Sequence, residues 1–202
     1  MPAPPATETG ADTVYTAGPA SRGGRGRYYM GREIAHTMSH LGAGWLDRPE
    51  REREERTDLL LDALPLQPDS VVADIGAGSG YFSLRIAPRL PEGRVLAVDI
   101  QPEMLAIIGD RASDAGIDNI DLVLAEERSP GLAPKTVDVA FMVDAYHEFE
   151  WPREVMQSLY AAMRPGGSVV LIEYRAEDPW VPIIPVHKMT AAQVQLEMEA
   201  VG

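Results

Sequence analysis

Between Val71 and Leu84 the chain reads Val-Val-Ala-Asp-Ile-Gly-Ala-Gly-Ser-Gly-Tyr-Phe-Ser-Leu, an apolar run, a glycine turn and the start of a second apolar stretch. Glycines at alternate positions, Gly76, Gly78 and Gly80, suit a backbone that turns sharply at a strand end and lets a ligand approach it closely. The third also permits close packing of the following helix. An acid, Asp74, precedes the turn. A pyrophosphate wants amide donors and no carboxylate beside it; a cofactor with a free ammonium and a cationic sulfonium wants the opposite. A second acid, Asp99, ends the run Val95-Leu-Ala-Val98 and is placed to accept both hydroxyls of a ribose. The spacing Gly-x-Gly-x-Gly, not Gly-x-Gly-x-x-Gly, and the acid at Asp74 place a nicotinamide dehydrogenase low.

The elements that position these residues follow from the apolar pattern. The sequence predicts strands over Val71–Ile75, Arg94–Asp99, Ile120–Leu124, Val137–Val143 and Ser168–Tyr174, with helices over Gly80–Leu90, Pro102–Ala115, Pro152–Met163 and Thr190–Val201. The runs Val71–Ala73, Val139–Val143 and Val169–Ile172 are apolar on both faces, the mark of parallel strands covered on each side. Short strand–helix alternation implies a doubly wound, mostly parallel α/β sheet of five strands in the order 3-2-1-4-5. Upstream, Glu33–His40 is predicted as a short helix. A longer helix is predicted from Asp47 as N-cap, with Pro49 and Glu50 in the first turn, through Leu59–Leu61.

Three stretches carry a family resemblance. Asp74-Ile-Gly-Ala-Gly-Ser-Gly80 resembles the first motif of class I S-adenosylmethionine-dependent methyltransferases, and Val95–Leu105 resembles the second. Met163-Arg-Pro-Gly-Gly-Ser-Val-Val-Leu-Ile172 resembles their turn into strand five. The resemblance spans about Leu59 to Tyr174 and implies a Rossmann-like fold with S-adenosyl-L-methionine as cofactor. It implies that Gly76, Gly78 and Gly80 wrap the methionine part. Asp99 and Ile100 would then take the ribose side, and an acid after strand three, Glu126 or Glu127, the adenine amino group. Within the class the chain is most similar to small-molecule enzymes of the quinone-biosynthesis and arsenite-methyltransferase kind; arsenite itself is disfavoured because the chain has no cysteine.

In this fold the end of strand four faces the transferring methyl group, so Val143-Asp-Ala-Tyr-His-Glu-Phe149 supplies the next candidates. Asp144 is assigned to the cofactor, and His147 and Glu148 to the acceptor side as pocket residues or general base, with Tyr146 nearby. The alternative is a polar loop that only caps the following helix. Tyr29, with Tyr28 and Arg32, lies in a segment that in relatives closes over the cofactor, where an aromatic ring could meet the sulfonium. His187 and Lys188 are candidates for the substrate border. His36 and His40 have metal-ligand spacing but no Glu in the HExxH position, and no metal is predicted.

Composition bounds the rest. Hydrophobic residues make up 45 % of the 202, and the formal charge is −13. A field of that sign repels phosphate backbones, so no nucleic-acid partner is expected, the arginines at 22, 25 and 27 notwithstanding. No run is long enough to span a membrane, and a cytoplasmic location is the default. The sequence predicts a disordered tail over 1–26, a helical extension over 27–66 and the cofactor domain over 67–202. The helix at Thr190–Val201 stands where the family continues to a strand 6–7 hairpin. Without that hairpin strand five is an open apolar edge, to be covered by a second copy, another chain or a fold-back of Trp180–Ile184. The function expected is methyl transfer to a small organic acceptor; the alternative is an inactive or accessory cofactor-binding subunit.

Overall fold

The computed structural model describes residues 14–202. Three short strands come first, β1 (Tyr15–Ala17), β2 (Gly24–Tyr29) and β3 (Arg32–Ala35), and form their own antiparallel sheet. This corrects the expectation of a disordered tail and a helical extension for residues 14–35; residues 1–13 of that tail lie outside the described residues. The ordering comes from aromatics, not aliphatics. Tyr15 packs on Tyr29 and Trp151 with ring centroids 5.3 and 5.2 Å apart. The Arg27 guanidinium lies over both Tyr15 and Trp151, at 4.2 and 3.8 Å. Met30 and Gly31, both at positive φ, make the two-residue turn between β2 and β3, the geometry that matches strand twist.

The long charged helix is also corrected. It is two pieces, α2 (Arg51–Glu55) and α3 (Thr57–Ala63), with Arg56 in a left-handed conformation between them, and a separate single turn, α1 (Ala43–Leu46), precedes them. Arg51 breaks the expectation of a solvated face. It is 4 % exposed, donates to Leu46 O and Glu55, and lies over the rings of Tyr81 and Phe82. Asp47 is not an N-cap: it ends α1 as its C-cap, and its carboxylate accepts from Ser79 Oγ and Arg111.

From here the chain alternates as the apolar runs dictate: β4 (Val71–Ile75), α4 (Ser83–Ile86), β5 (Arg94–Asp99), α5 (Pro102–Ala115), β6 (Ile120–Leu124), β7 (Val137–Val143), α6 (Pro152–Ala162), β8 (Met163–Ile172) and α7 (Ala191–Glu199). The five strands are parallel in the order β6-β5-β4-β7-β8, which is 3-2-1-4-5 in their own sequence order. Val72, Val95 and Phe141 pack under Phe82, Ile86 and Leu90. Ala73, Ala140 and Met142 pack among Tyr146, Met156 and Leu159. Burial of each large apolar side chain contributes roughly 1.5–3 kcal/mol, and the two layers fix where the strand ends emerge. Gly116 closes α5 at φ +65, and Thr190 Oγ1 accepts from Gln193 N to start α7.

After β8 the chain doubles back: Met189 N donates to Tyr174 O and Ala176 N to Met189 O, both at 3.0 Å. This brings His187 beside the end of β7. Of the alternatives for covering the edge of β8, the fold-back of Trp180–Ile184 is not formed. Trp180 stays 89 % exposed, and β8 has no second neighbour among the described residues. A buried ion pair ties the two ends of the fold together. Arg32 donates to both Glu197 carboxylate oxygens at 2.7 and 2.9 Å, to which the Tyr146 hydroxyl also donates. No helix among the described residues is long and apolar enough to cross a membrane.

Candidate active site

A cavity of about 760 Å³ opens where β4, β5 and β7 end, a volume fit for a cofactor plus a small ligand. Gly76 and Gly78 form one wall at φ +73 and +54. Gly76 N and Ala77 N donate to Val98 O at 2.8 and 3.0 Å, which folds the turn across the end of β5. A Cβ on Gly76 would lie 2.7 Å from that of Ala145. Gly80 faces away: a Cβ there would meet Ile108 of α5 at 2.9 Å, so its part is helix packing.

Asp99 lines the cavity and holds the loop. Gly78 N donates to Oδ2 and Gln101 N to Oδ1, each at 2.9 Å. Burial pushes the Asp99 pKa up, and the backbone donors pull only part of that back. Ile100 and Glu126 border the same side, Glu126 in a small turn closed by reciprocal backbone bonds with Ser129. Asp74, expected at the cofactor, is not among the residues that line the cavity. The residue is 3 % exposed, and its carboxylate accepts from Ser83 Oγ at 2.6 Å. It pins the loop to α4 from below.

The opposite wall comes from the end of β7 and the returning chain. Asp144 lines it at φ +50, its carboxyl pushed up to about 7 by burial and by the charge of Glu173. His147 is 2 % exposed. Its Nδ1 is 2.6 Å from Glu173 Oε2 and its Nε2 3.0 Å from His187 Nδ1. Glu148 Oε1 lies 3.9 Å from His147 Nε2 and 3.7 Å from His187 Nδ1. Burial lowers the His147 pKa, but the hydrogen bond and charge of Glu173 outweigh it and the net shift is upward. Burial raises Glu148 to about 7. His187 goes down through burial and the charge of His147.

Tyr29 does not belong to this site. It is 1 % exposed inside the N-terminal sheet and does not line the cavity, because its ring is needed to pack against Tyr15. Tyr146 is likewise a core residue bonded to Glu197.

Two features escaped the sequence reading. Glu173 stands just past the apolar strand β8 much as Asp99 ends β5, a signal that was available. The segment Thr37–Leu46 carries no motif, yet it roofs the cavity. Gln101 clamps it through Met38 O and His40 N, and Met38 N donates to Glu148.

A family profile described as a methyltransferase domain matches residues 72–167. An uncharacterized methyltransferase-like protein of Schizosaccharomyces pombe is 28 % identical over 127 residues, 62 % of this chain and 47 % of that protein. The malonyl-[acyl-carrier protein] O-methyltransferase of a Marinomonas species is 32 % identical over 111 residues, 55 % of this chain and 40 % of that protein. The chain spans about half the length, or less, of the curated relatives it matches. Among solved structures, a SAM-dependent methyltransferase of Aquifex aeolicus superposes with a TM-score of 0.77 at 24 % identity. The match covers 82 % of this chain and 89 % of that one, a likeness of fold.

Proposed function

We propose that this chain, which belongs to the class I S-adenosylmethionine-dependent methyltransferases and takes S-adenosylmethionine as its cofactor, transfers the methyl group to a small organic acceptor. The observation that carries the reading is the division of one cavity between two chemistries. Gly76, Gly78 and Asp99 stand on one side, and His147, Glu148 and His187 on the other.

The first side fits the cofactor. Gly76 and Gly78 leave the loop without side chains, and Asp99 keeps a partly desolvated carboxylate at the strand end, apt for ribose hydroxyls. Ile100 and Glu126 would flank the base. When bound, the cofactor supplies an activated methyl group for in-line displacement. The chain's own task is then to align the acceptor and keep water out. The Thr37–Leu46 roof and the apolar Val143, Ile183 and Ile184 do the second. His147, oriented by Glu173, and Glu148 bind the polar end of the acceptor and assist the loss of its proton.

Turnover tests this. S-adenosylhomocysteine formation is followed over a panel of small hydroxyl, amine and thiol metabolites for wild type, His147→Ala and Glu148→Ala. Loss of turnover in the variants with cofactor affinity retained is the expected result. Full turnover in both variants would remove the pair from the reaction.

A further inference from the structure

We propose that His147, Glu148 and His187 form a three-ligand site for a divalent first-row metal ion whose open coordination position faces the acceptor half of the cavity. This deepens the methyltransferase reading and rests on it for its role, though not for the site itself. His147 and Glu148 are neighbours on the turn that follows β7. His187 comes from a second turn forty residues on, returned here by the pairing of Met189 with Tyr174 and Ala176. Sequence spacing therefore gives no ligand motif, and the set exists only in the fold.

Three observations support it. The donor atoms converge: His147 Nε2, His187 Nδ1 and Glu148 Oε1 are separated by 3.0, 3.7 and 3.9 Å. The nearest point equidistant from all three, in their common plane, lies about 2.1 Å from each, the length of a zinc–imidazole or zinc–carboxylate bond. Next, the outer contact is the one that metal-bound imidazoles show. Glu173 Oε2 sits 2.6 Å from His147 Nδ1, which fixes the proton there and aims the Nε2 lone pair at the other two donors. Finally, all three side chains line the cavity, so an ion held by them has room for an exogenous ligand, the arrangement of catalytic rather than structural sites.

Two imidazoles and one carboxylate select zinc or ferrous iron over magnesium or calcium. An ion at this place would take the acceptor's oxygen, nitrogen or sulfur as its next ligand. The acceptor's proton would then be lost to solvent on coordination, and its lone pair held toward the methyl side. Such an acceptor needs a second donor atom or an acidic X–H group, as in hydroxy acids, enols and thiols.

The test is calorimetric titration of Zn²⁺ into the full chain, free of any histidine tag and stripped with EDTA, alongside the absorption spectrum of the Co²⁺ form. One ion per chain is expected, with visible cobalt bands. His187→Ala and Glu148→Gln should each weaken zinc by 100-fold or more. Glu173→Gln, which touches no metal, should weaken it 10- to 100-fold. His40→Ala, a half-buried residue whose side chain offers no ligand to this set, should leave zinc affinity unchanged. Every variant is also titrated with S-adenosylhomocysteine, which reports folding and the cofactor side independently. No saturable zinc binding in a protein that binds S-adenosylhomocysteine would overturn the site and leave a plain His147–His187 hydrogen bond. Zinc binding unchanged in the His187→Ala/Glu148→Gln double variant would overturn it equally. Failure of S-adenosylhomocysteine to bind wild type would instead sink the methyltransferase reading.

Discussion

The backbone N–H of Gly78 donates to the Asp99 carboxylate across 2.9 Å, so the tip of the glycine loop hangs from the last residue of the neighbouring strand. Gly78 adopts φ +54, and a Cβ there would lie 2.6 Å from Leu46 Cδ1. Leu46 can move aside; the backbone strain of a left-handed alanine, about 1–2 kcal/mol, stays. Gly78→Ala is expected to lose about that much stability in urea melts. It should lose more than tenfold in affinity for S-adenosylhomocysteine, because any relaxation of φ moves the donor off Asp99.

Arg32 and Glu197 should show a reversal of sign. Arg32→Ala leaves the Glu197 carboxylate buried with only the Tyr146 hydroxyl and the Gln193 amide, at a cost of about 3–5 kcal/mol. Glu197→Gln destabilises the wild type but stabilises the Arg32→Ala variant, where it removes an unpaired buried charge. Denaturant midpoints of the four proteins check this. Equal effects of Glu197→Gln in both backgrounds would show that the pair is not coupled.

Asp74 sets a pH dependence. Burial pushes its pKa up to about 7; Ser83 holds it partly back and the charge of Asp99 adds to the rise. The unfolded value is about 3.9. Between these limits the folded chain keeps a proton that the unfolded chain releases. Stability from this group therefore falls as pH rises through the window and is lowest above about pH 7. Asp74→Asn removes the effect. Its stability should gain on wild type as pH rises from 5 to about 7, by an amount on the order of 2–4 kcal/mol, and level off above that. A constant difference across that range would contradict the burial argument.

The parallel sheet was legible because its signals are local. Apolar runs such as Val139–Val143 carry their own period, and glycines and acids mark where strands end. Asp99 and the glycine turn followed from this directly. Asp74 did not, because a carboxylate at a strand's penultimate position can point up to the ligand or down to the helix, and Ser83 decides. The N-terminal sheet was missed for a different reason. Its core is Tyr15, Tyr29 and Trp151 with Arg27 stacked between, a non-local set that counting aliphatics overlooks. Arg51 inside α2 shows the same gap: a charged run reads as solvated until Tyr81, Phe82 and Glu55 are seen around it. The wall at the end of β7 was half legible. His147 and Glu148 follow a strand, whereas His187 reaches them only through the tertiary return at Met189.

The measurement that tests the divided cavity most directly is calorimetric titration of S-adenosylhomocysteine into wild type, Asp99→Ala and His147→Ala, with NAD as the control ligand. One S-adenosylhomocysteine per wild-type chain is expected, with no heat from NAD. Asp99→Ala should weaken binding by about 1–3 kcal/mol, the loss of a charge-assisted partner. His147→Ala should bind within about threefold of wild type, a difference below 1 kcal/mol. Unchanged affinity in Asp99→Ala, together with lost affinity in His147→Ala, would place the cofactor on the other wall and contradict the assignment of both sides.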